Sequence, residues 1–344
     1  MHVMEFPRKV ILGEGVLSEI KTLVKSYHFE KPLVLSGKKT LKLAGREIVE
    51  ILECENLMIE DSKLSRIREL SEPLRKEGFD VLISVGGGRI MDASKLLAAF
   101  LNLSWLSVPT SPSNDSMSSQ AISYLLSKEL EEKGIENLRL HTPLAILIDI
   151  RVVAKAPYRM LASGYGDLIS NYTAVKDWEL AHRVKGEYFS DYASALSLMS
   201  AKLVIERAKL LRKNYREACR VVIKGLGTSG VAMSIAGSSR PSSGSEHLFS
   251  HALDLLGSKA MHGEQCGVGT IMMMRLHGDD WRSVRETLKL LGAPVDSKGL
   301  SIDEDLVVEA LEVAPTLRDR YTILSEEKLT RSKAKKLAEE TQVI

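Results

Sequence analysis

The chain has 344 residues, 44% hydrophobic and 27% charged, with 47 basic against 45 acidic side chains. That length suggests about two domains, and the apolar content excludes a disordered chain. The balanced charge, without a long basic stripe, argues against a nucleic-acid binder. No apolar run reaches the roughly 18 residues of a bilayer span, and MHVMEFPRKV lacks the apolar core of a signal peptide, so a cytoplasmic protein is expected. Cys54, Cys219 and Cys266 lie too far apart for a disulfide framework or a zinc finger. Glutamine is scarce (Gln120, Gln265 and Gln342), a trend shared with thermophile proteins.

The first 150 residues alternate two textures. Short apolar runs at Pro32–Leu35, Leu57–Glu60, Val81–Val85, Trp105–Val108 and Leu144–Ile150 read as strands. Between them, Gly15–Tyr27, Ser65–Gly78 and Met91–Leu101 carry apolar residues every three or four positions and read as helices. This predicts βαβ units and a Rossmann-like, mostly parallel sheet, with ligands beyond the carboxyl ends of its strands. After about residue 155 the texture becomes all-helical: Asp167–Ala181, Tyr192–Leu211, Tyr215–Ala236, Glu246–Leu256, Gly267–Leu276, Trp281–Leu291 and a charged tail, Glu326–Glu340. An α/β domain over 1–155 and an all-α domain over 156–344 are therefore expected, with a site in the cleft between them.

Three motifs carry chemistry. Val85-Gly86-Gly87-Gly88-Arg89-Ile90-Met91-Asp92 runs a buried strand through three glycines into a helix, which would let a phosphate approach backbone N–H groups. It is neither a G-x-G-x-x-G fingerprint nor a Walker loop, and the alternative reading is a tight strand-to-helix turn. Pro109-Thr110-Ser111-Pro112-Ser113-Asn114-Asp115-Ser116-Met117-Ser118-Ser119 follows the next strand at its carboxyl end, where ligands bind, and is dense in hydroxyls; the alternative reading is a polar turn with a helix cap at Asp115. The third group is Asp167 in Gly164-Tyr165-Gly166-Asp167, read as opening a helix, with His247 and His251 four apart and His262 in His262-Gly263-Glu264. Two imidazoles and a carboxylate suit a catalytic Zn²⁺ or Fe²⁺, although spacing alone does not bring them together. His2, His28, His141, His182 and His277 lack such a context and read as structural or solvated, while Arg240 reads either as an anion holder or as a solvated loop cation.

The order of GGG-x-x-x-D, PTSPSNDSMSS, SGYGDLISNYTAVKDWELA, SGSEHLFSHALD and HGEQCGVGTI resembles the metal-dependent polyol dehydrogenases, which include glycerol dehydrogenase, iron-type alcohol dehydrogenases and dehydroquinate synthase. Within that group the chain is most similar to the sn-glycerol-1-phosphate dehydrogenases, over essentially its full length. The resemblance implies a dehydroquinate synthase-like fold and the reversible reduction of dihydroxyacetone phosphate by NADH or NADPH, which in archaea begins ether phospholipid synthesis. It assigns a metal, Zn²⁺ or Fe²⁺, to Asp167, His247 and His262. Asp115, Asp167 and His251 fall on the substrate, Asp115 and His251 in catalytic roles. Gly86, Gly87, Gly88, Arg89, Ile90, Thr110, Ser113 and Ser119 fall on the cofactor. A small-molecule substrate, no nucleic-acid or membrane-spanning partner, and a homo-oligomer are expected.

Two departures stand out. Arg89 occupies a position where glycerol dehydrogenases carry Lys, and Ser36-Gly37-Lys38-Lys39 closes the first predicted strand where NAD-restricted relatives place an Asp. Without that Asp, a 2′-phosphate is not repelled, so NADPH use is expected. The other readings are a glycerol dehydrogenase, a lyase like dehydroquinate synthase, and a nucleotide-binding protein without turnover.

Overall fold

The computed structural model describes residues 3–135 and 137–344; His2 lies outside them. The chain divides into two compact units, one over Glu5–Pro157 and the other centred on Tyr158–Ile344. The first holds a six-stranded sheet in the order β1-β6-β5-β4-β2-β3. Its strands are β1 (Lys9–Gly13), β2 (Pro32–Ser36), β3 (Glu55–Met58), β4 (Val81–Gly86), β5 (Ser104–Pro109) and β6 (Ala145–Asp149), and every pairing is parallel.

Period-two burial explains why the strand sequences are so apolar. Val34, Val81, Ile83, Val85, Leu106, Val108, Ala145 and Leu147 point to one face, where Leu17, Ile20, Leu23 and Ile48 cover them. Leu33, Leu35, Leu82, Trp105, Ile146 and Ile148 alternate with them and are buried as well. A parallel sheet buried on both faces thus reads as a continuous apolar run.

The sequence reading missed β1, an edge strand whose Lys9 and Val10 are exposed and whose apolar run is only Val10–Leu12. Asp149, at the end of β6, fastens the turn after β1 by accepting from Gly15 N at 3.0 Å and Val16 N at 2.8 Å. The strand expected at 57–60 lies instead at Glu55–Met58, in register with β2 from Leu33↔Glu55 to Ser36↔Met58. The apolar Leu57–Ile59 run concealed this, because the edge position tolerates Asn56, which accepts from Ser36 Oγ at 2.7 Å.

The second unit is helical, with no strand among its described residues. Its longest helix, Tyr158–Lys185, has 28 residues and buries a continuous stretch from Leu161 to Asn171. Two boundaries differ from expectation. Asp167 lies well inside that helix instead of opening it, and the helix expected from Gly267 begins at His262. In both places glycines that read as turn residues serve close helix contact. A Cβ on Gly166 would lie 2.0 Å from the Gly263 carbonyl oxygen, and one on Gly263 would lie 2.0 Å from that of Ser163. The tail is two helices, Ile323–Glu327 and Arg331–Glu340, separated at Lys328, whose φ is 45°. Among the described residues no helix is long and apolar enough to cross a membrane.

Candidate functional site

In the first unit, β4 and β5 end side by side, with Gly86 opposite Pro109 and Thr110 N donating to Gly86 O at 3.0 Å. This places the glycine turn and the hydroxyl-rich loop together at the carboxyl edge of the sheet, where open α/β sheets bind ligands. Gly87 caps the helix Gly88–Leu101. Gly86 is required by the chain's own packing, since a Cβ there would lie 2.4 Å from Ile90 Cβ, whereas at Gly88 a Cβ would meet only the tip of the Asn114 side chain, at 2.7 Å from Nδ2. At Gly87 only Ser111 Oγ comes near, at 3.1 Å, so this glycine leaves a cradle over the helix N-terminus. Thr110, Ser113 and Ser119 are buried, and the Ser119 hydroxyl has no hydrogen-bond partner among the described residues. An open cradle and an orphaned hydroxyl fit a phosphate-bearing cofactor. Arg89 is exposed, and Ile90 packs beneath Gly86.

Asp115 begins a short 3₁₀ turn capped by Asn114, not by Asp115 itself. Behind it lies a buried ion pair that the sequence reading did not single out. Lys95 Nζ is 3.7 Å from Asp92 Oδ1 and donates to Ala121 O at 2.5 Å, while Asp92 Oδ2 accepts from Ser123 N at 3.1 Å. Burial, with the negative charge of Asp92, pushes the Asp115 carboxyl up to about 6 against the opposing pull of Lys95.

The second unit brings the predicted metal ligands together. Asp167 Oδ1 is 3.7 Å from His262 Nε2 and 4.0 Å from His247 Nε2, and the two imidazole rings are 4.8 Å apart. Backbone contact at Gly166 and Gly263 produces this, because each glycine adjoins a ligand in sequence. A Cβ on Gly269 would lie 3.1 Å from Glu246 O, so the helix Ser245–Leu255 also packs close, though less tightly, and delivers His247.

Each ring is oriented from behind. His247 Nδ1 bonds Glu246 Oε1 at 2.8 Å, and that carboxylate is itself held by Gly244 N at 2.7 Å and Thr173 Oγ1 at 2.6 Å. Ser250 donates its single hydroxyl proton to Gln265 Oε1 at 2.6 Å, which leaves its lone pair to accept from His262 Nδ1 at 3.0 Å. These bonds assign the protons to Nδ1 and leave both Nε2 lone pairs facing Asp167. Burial lowers both imidazoles to about 3, with the charges of Arg320 and Arg318 adding to the effect at His247 and His247 itself adding at His262. Neutral rings backed by hydrogen-bond acceptors beside a carboxylate have the donor chemistry of a divalent metal site.

His251 lies one turn beyond His247, its ring 6.2 Å from His247 and 6.3 Å from His262. Burial and the Arg318 charge hold it neutral, well below the usual histidine range. Arg240 is neither an anion holder nor solvated: it is buried, forms a two-pronged pair with Glu187, and donates from Nη1 to Tyr321 O at 2.8 Å. Sequence reasoning missed Cys266, whose thiol belongs to the same cluster, and Arg318 and Arg320, whose charges reach His247 and His251. The HxxxC spacing from His262 would have shown the first; the second comes from a loop remote in sequence. The other described histidines have different settings: His141 pairs with Glu5, His182 with Glu187 O and His277 with Asp177, and His28 sits in the left-handed region.

A sheet-bearing unit followed by a helical unit is the fold of glycerol dehydrogenases and iron-containing alcohol dehydrogenases of known structure. Residues 11–157 match the family described as iron-containing alcohol dehydrogenase. Glycerol dehydrogenase from Schizosaccharomyces pombe has the same fold, with a TM-score of 0.78 at 20% identity over 99% of this chain and 90% of that one. Maleylacetate reductase from Agrobacterium tumefaciens gives 0.74 at 16% identity over 98% and 97%. Sequence carries the comparison further. The chain is 47% identical to glycerol-1-phosphate dehydrogenase [NAD(P)+] of Thermococcus sibiricus over 100% of its length and 99% of the relative's. It is 46% identical to that of Pyrococcus horikoshii, with both chains fully covered, and 42% identical to that of Methanothermobacter thermautotrophicus over 99% of each. The chain belongs to the glycerol-1-phosphate dehydrogenase family.

Proposed function

We propose that the protein catalyses the reversible, metal-dependent reduction of dihydroxyacetone phosphate to sn-glycerol 1-phosphate with NADPH or NADH; its full-length relatives are named glycerol-1-phosphate dehydrogenase [NAD(P)+]. The observation that carries this is the cluster of Asp167, His247 and His262, with both Nε2 atoms directed at the carboxylate. These three residues would hold a Zn²⁺ or Fe²⁺ ion, which would supply Lewis acidity for a ketone oxygen, and a bound nicotinamide would supply the hydride. Glu246 and Ser250 keep the rings in the ligating tautomer. His251, held neutral, is suited to hydrogen-bond the C2 oxygen and relay its proton, and Asp115 to accept from a substrate hydroxyl. Arg318 and Arg320 place positive charge beside the cluster, as a phosphorylated substrate requires. Gly86–Ile90, with Thr110, Ser113 and Ser119, form the cofactor's pyrophosphate seat in this reading. The resemblance also favours a cytoplasmic homo-oligomer.

Steady-state NADPH oxidation with dihydroxyacetone phosphate and with dihydroxyacetone tests the reading. Turnover of the phosphate alone is expected. Preference for the unphosphorylated ketone would make the protein a glycerol dehydrogenase.

A further inference from the structure

We propose that Lys95 is the positioning residue of the Asp115 loop: it pins the chain just after that loop and supplies the positive charge set against the Asp115 carboxylate. The inference rests on the proposed substrate role of Asp115 and deepens it. Lys95 stands on the helix Gly88–Leu101, whose first turn bears the glycine cradle, and its side chain is fully buried. Its ammonium donates to Ala121 O at 2.5 Å. Asp92, three residues earlier on the same helix face, accepts from Ser123 N at 3.1 Å. One face of one helix thus holds the chain on both sides of Ile122, and the 3₁₀ turn that Asp115 opens packs against the same helix.

Pinning the chain does not by itself call for a charge. A neutral donor can hold a carbonyl, and a buried ammonium loses its hydration unless a carboxylate meets it closely. Asp92 meets it poorly: its Oδ1 lies 3.7 Å from Nζ, beyond hydrogen-bond reach, and has no hydrogen-bond partner among the described residues. Burial draws the Lys95 pKa down, and the carboxylates of Asp92 and Asp115 oppose it. On Asp115, burial is the largest influence; after it, the pull of Lys95 toward the ionised form exceeds the opposite push of Asp92. Strand β5, which also packs against the turn, carries no charged side chain.

The consequence is a working pH range. Asp115 accepts a substrate hydroxyl best as a carboxylate, and Lys95 holds its titration at about 6 despite burial. The same helix therefore serves both candidate seats of this unit, the cofactor phosphate at its N-terminus and the substrate loop along its Asp92–Lys95 face.

The pH profile of kcat/KM for dihydroxyacetone phosphate, measured with NADPH on the full-length zinc-loaded protein, tests this. The wild type is expected to lose activity as pH drops through about 6. In Lys95→Met the acid limb should move up by about one pH unit, the low end of what a neighbouring opposite charge does to a carboxyl. That gives about a tenfold deficit at pH 5 and a smaller one at pH 8. Asp92→Asn/Lys95→Met removes both buried charges and serves if circular dichroism shows the single variant to be poorly folded. Its limb should still rise, by less, since the effect of Lys95 is the larger of the two. A deficit equal at all pH values, in whichever variant folds, would overturn the inference and leave Lys95 a structural clip. A wild-type profile flat through pH 6 would overturn the substrate role of Asp115 and the inference with it, and no turnover at all would overturn the proposed reaction and both.

Discussion

Glycine plays opposite parts in the two units. At Gly86–Gly88 it ends a strand and starts a helix within three residues, and the candidate cofactor seat is made of backbone at that turn. At Gly166 and Gly263 it lies within helices and lets two backbones touch, and the candidate metal centre is made of the side chains beside those contacts. The first site depends on one local segment with its neighbouring loop; the second exists only when helices distant in sequence are packed. Damage to packing should therefore erase the metal centre while leaving the cofactor seat intact, and the reverse should hold for changes at the turn.

The largest effect is expected from Gly263→Ala. Its Cβ would meet the backbone carbonyl of Ser163, which cannot rotate away. Overpacking of this kind costs about 3 kcal/mol, or on the order of 10 °C in Tm, and should separate His262 from Asp167. Calorimetry and elemental analysis should show lower stability and lost metal, with NADPH affinity retained by whatever remains folded. Retained metal would mean that the glycine contact does not assemble the centre.

Next in size is the pH response of Asp115. A carboxylate accepts from the substrate hydroxyl and a carboxylic acid does so poorly, so kcat/KM should fall as pH drops through about 6. The negative charge of Asp92 raises the Asp115 pKa, so Asp92→Asn should lower it and move the acid limb of the profile downward. An unmoved limb would detach Asp115 from the profile.

The smallest and most local change is Gly37→Asp at the end of β2. A Cβ there meets Ile90 Cδ1 at 3.4 Å and nothing nearer, so the side chain is accommodated. By repelling a 2′-phosphate it should cut kcat/KM with NADPH by about tenfold and affect NADH less, a difference of about 1.4 kcal/mol. Equal losses would place the adenosine ribose elsewhere.

What the sequence made legible follows the same division. The βαβ order, the glycine turn and the hydroxyl loop are local signals, and the centres of β2, β4, β5 and β6 lie where apolar runs placed them. Edge strands β1 and β3 blurred because one side of each lacks a neighbour and polar residues are tolerated there. The Asp, His and His types were visible, but their meeting depends on helix crossings that no local pattern encodes. Gly166 and Gly263, in the GYG and HGE motifs, therefore read as turn residues, although they are contact surfaces. The one-turn spacing from His262 to Cys266 is a local signal and legible, whereas Arg318 and Arg320 reach the cluster from a separate loop and leave none.

The most direct test of the metal-centred account is to follow NADPH-dependent reduction of dihydroxyacetone phosphate alongside metal content as a chelator strips the protein. The account predicts activity that falls in proportion to occupancy, reaches background near zero metal per chain, and returns when Zn²⁺ is restored. Undiminished turnover by protein shown to be metal-free would contradict it.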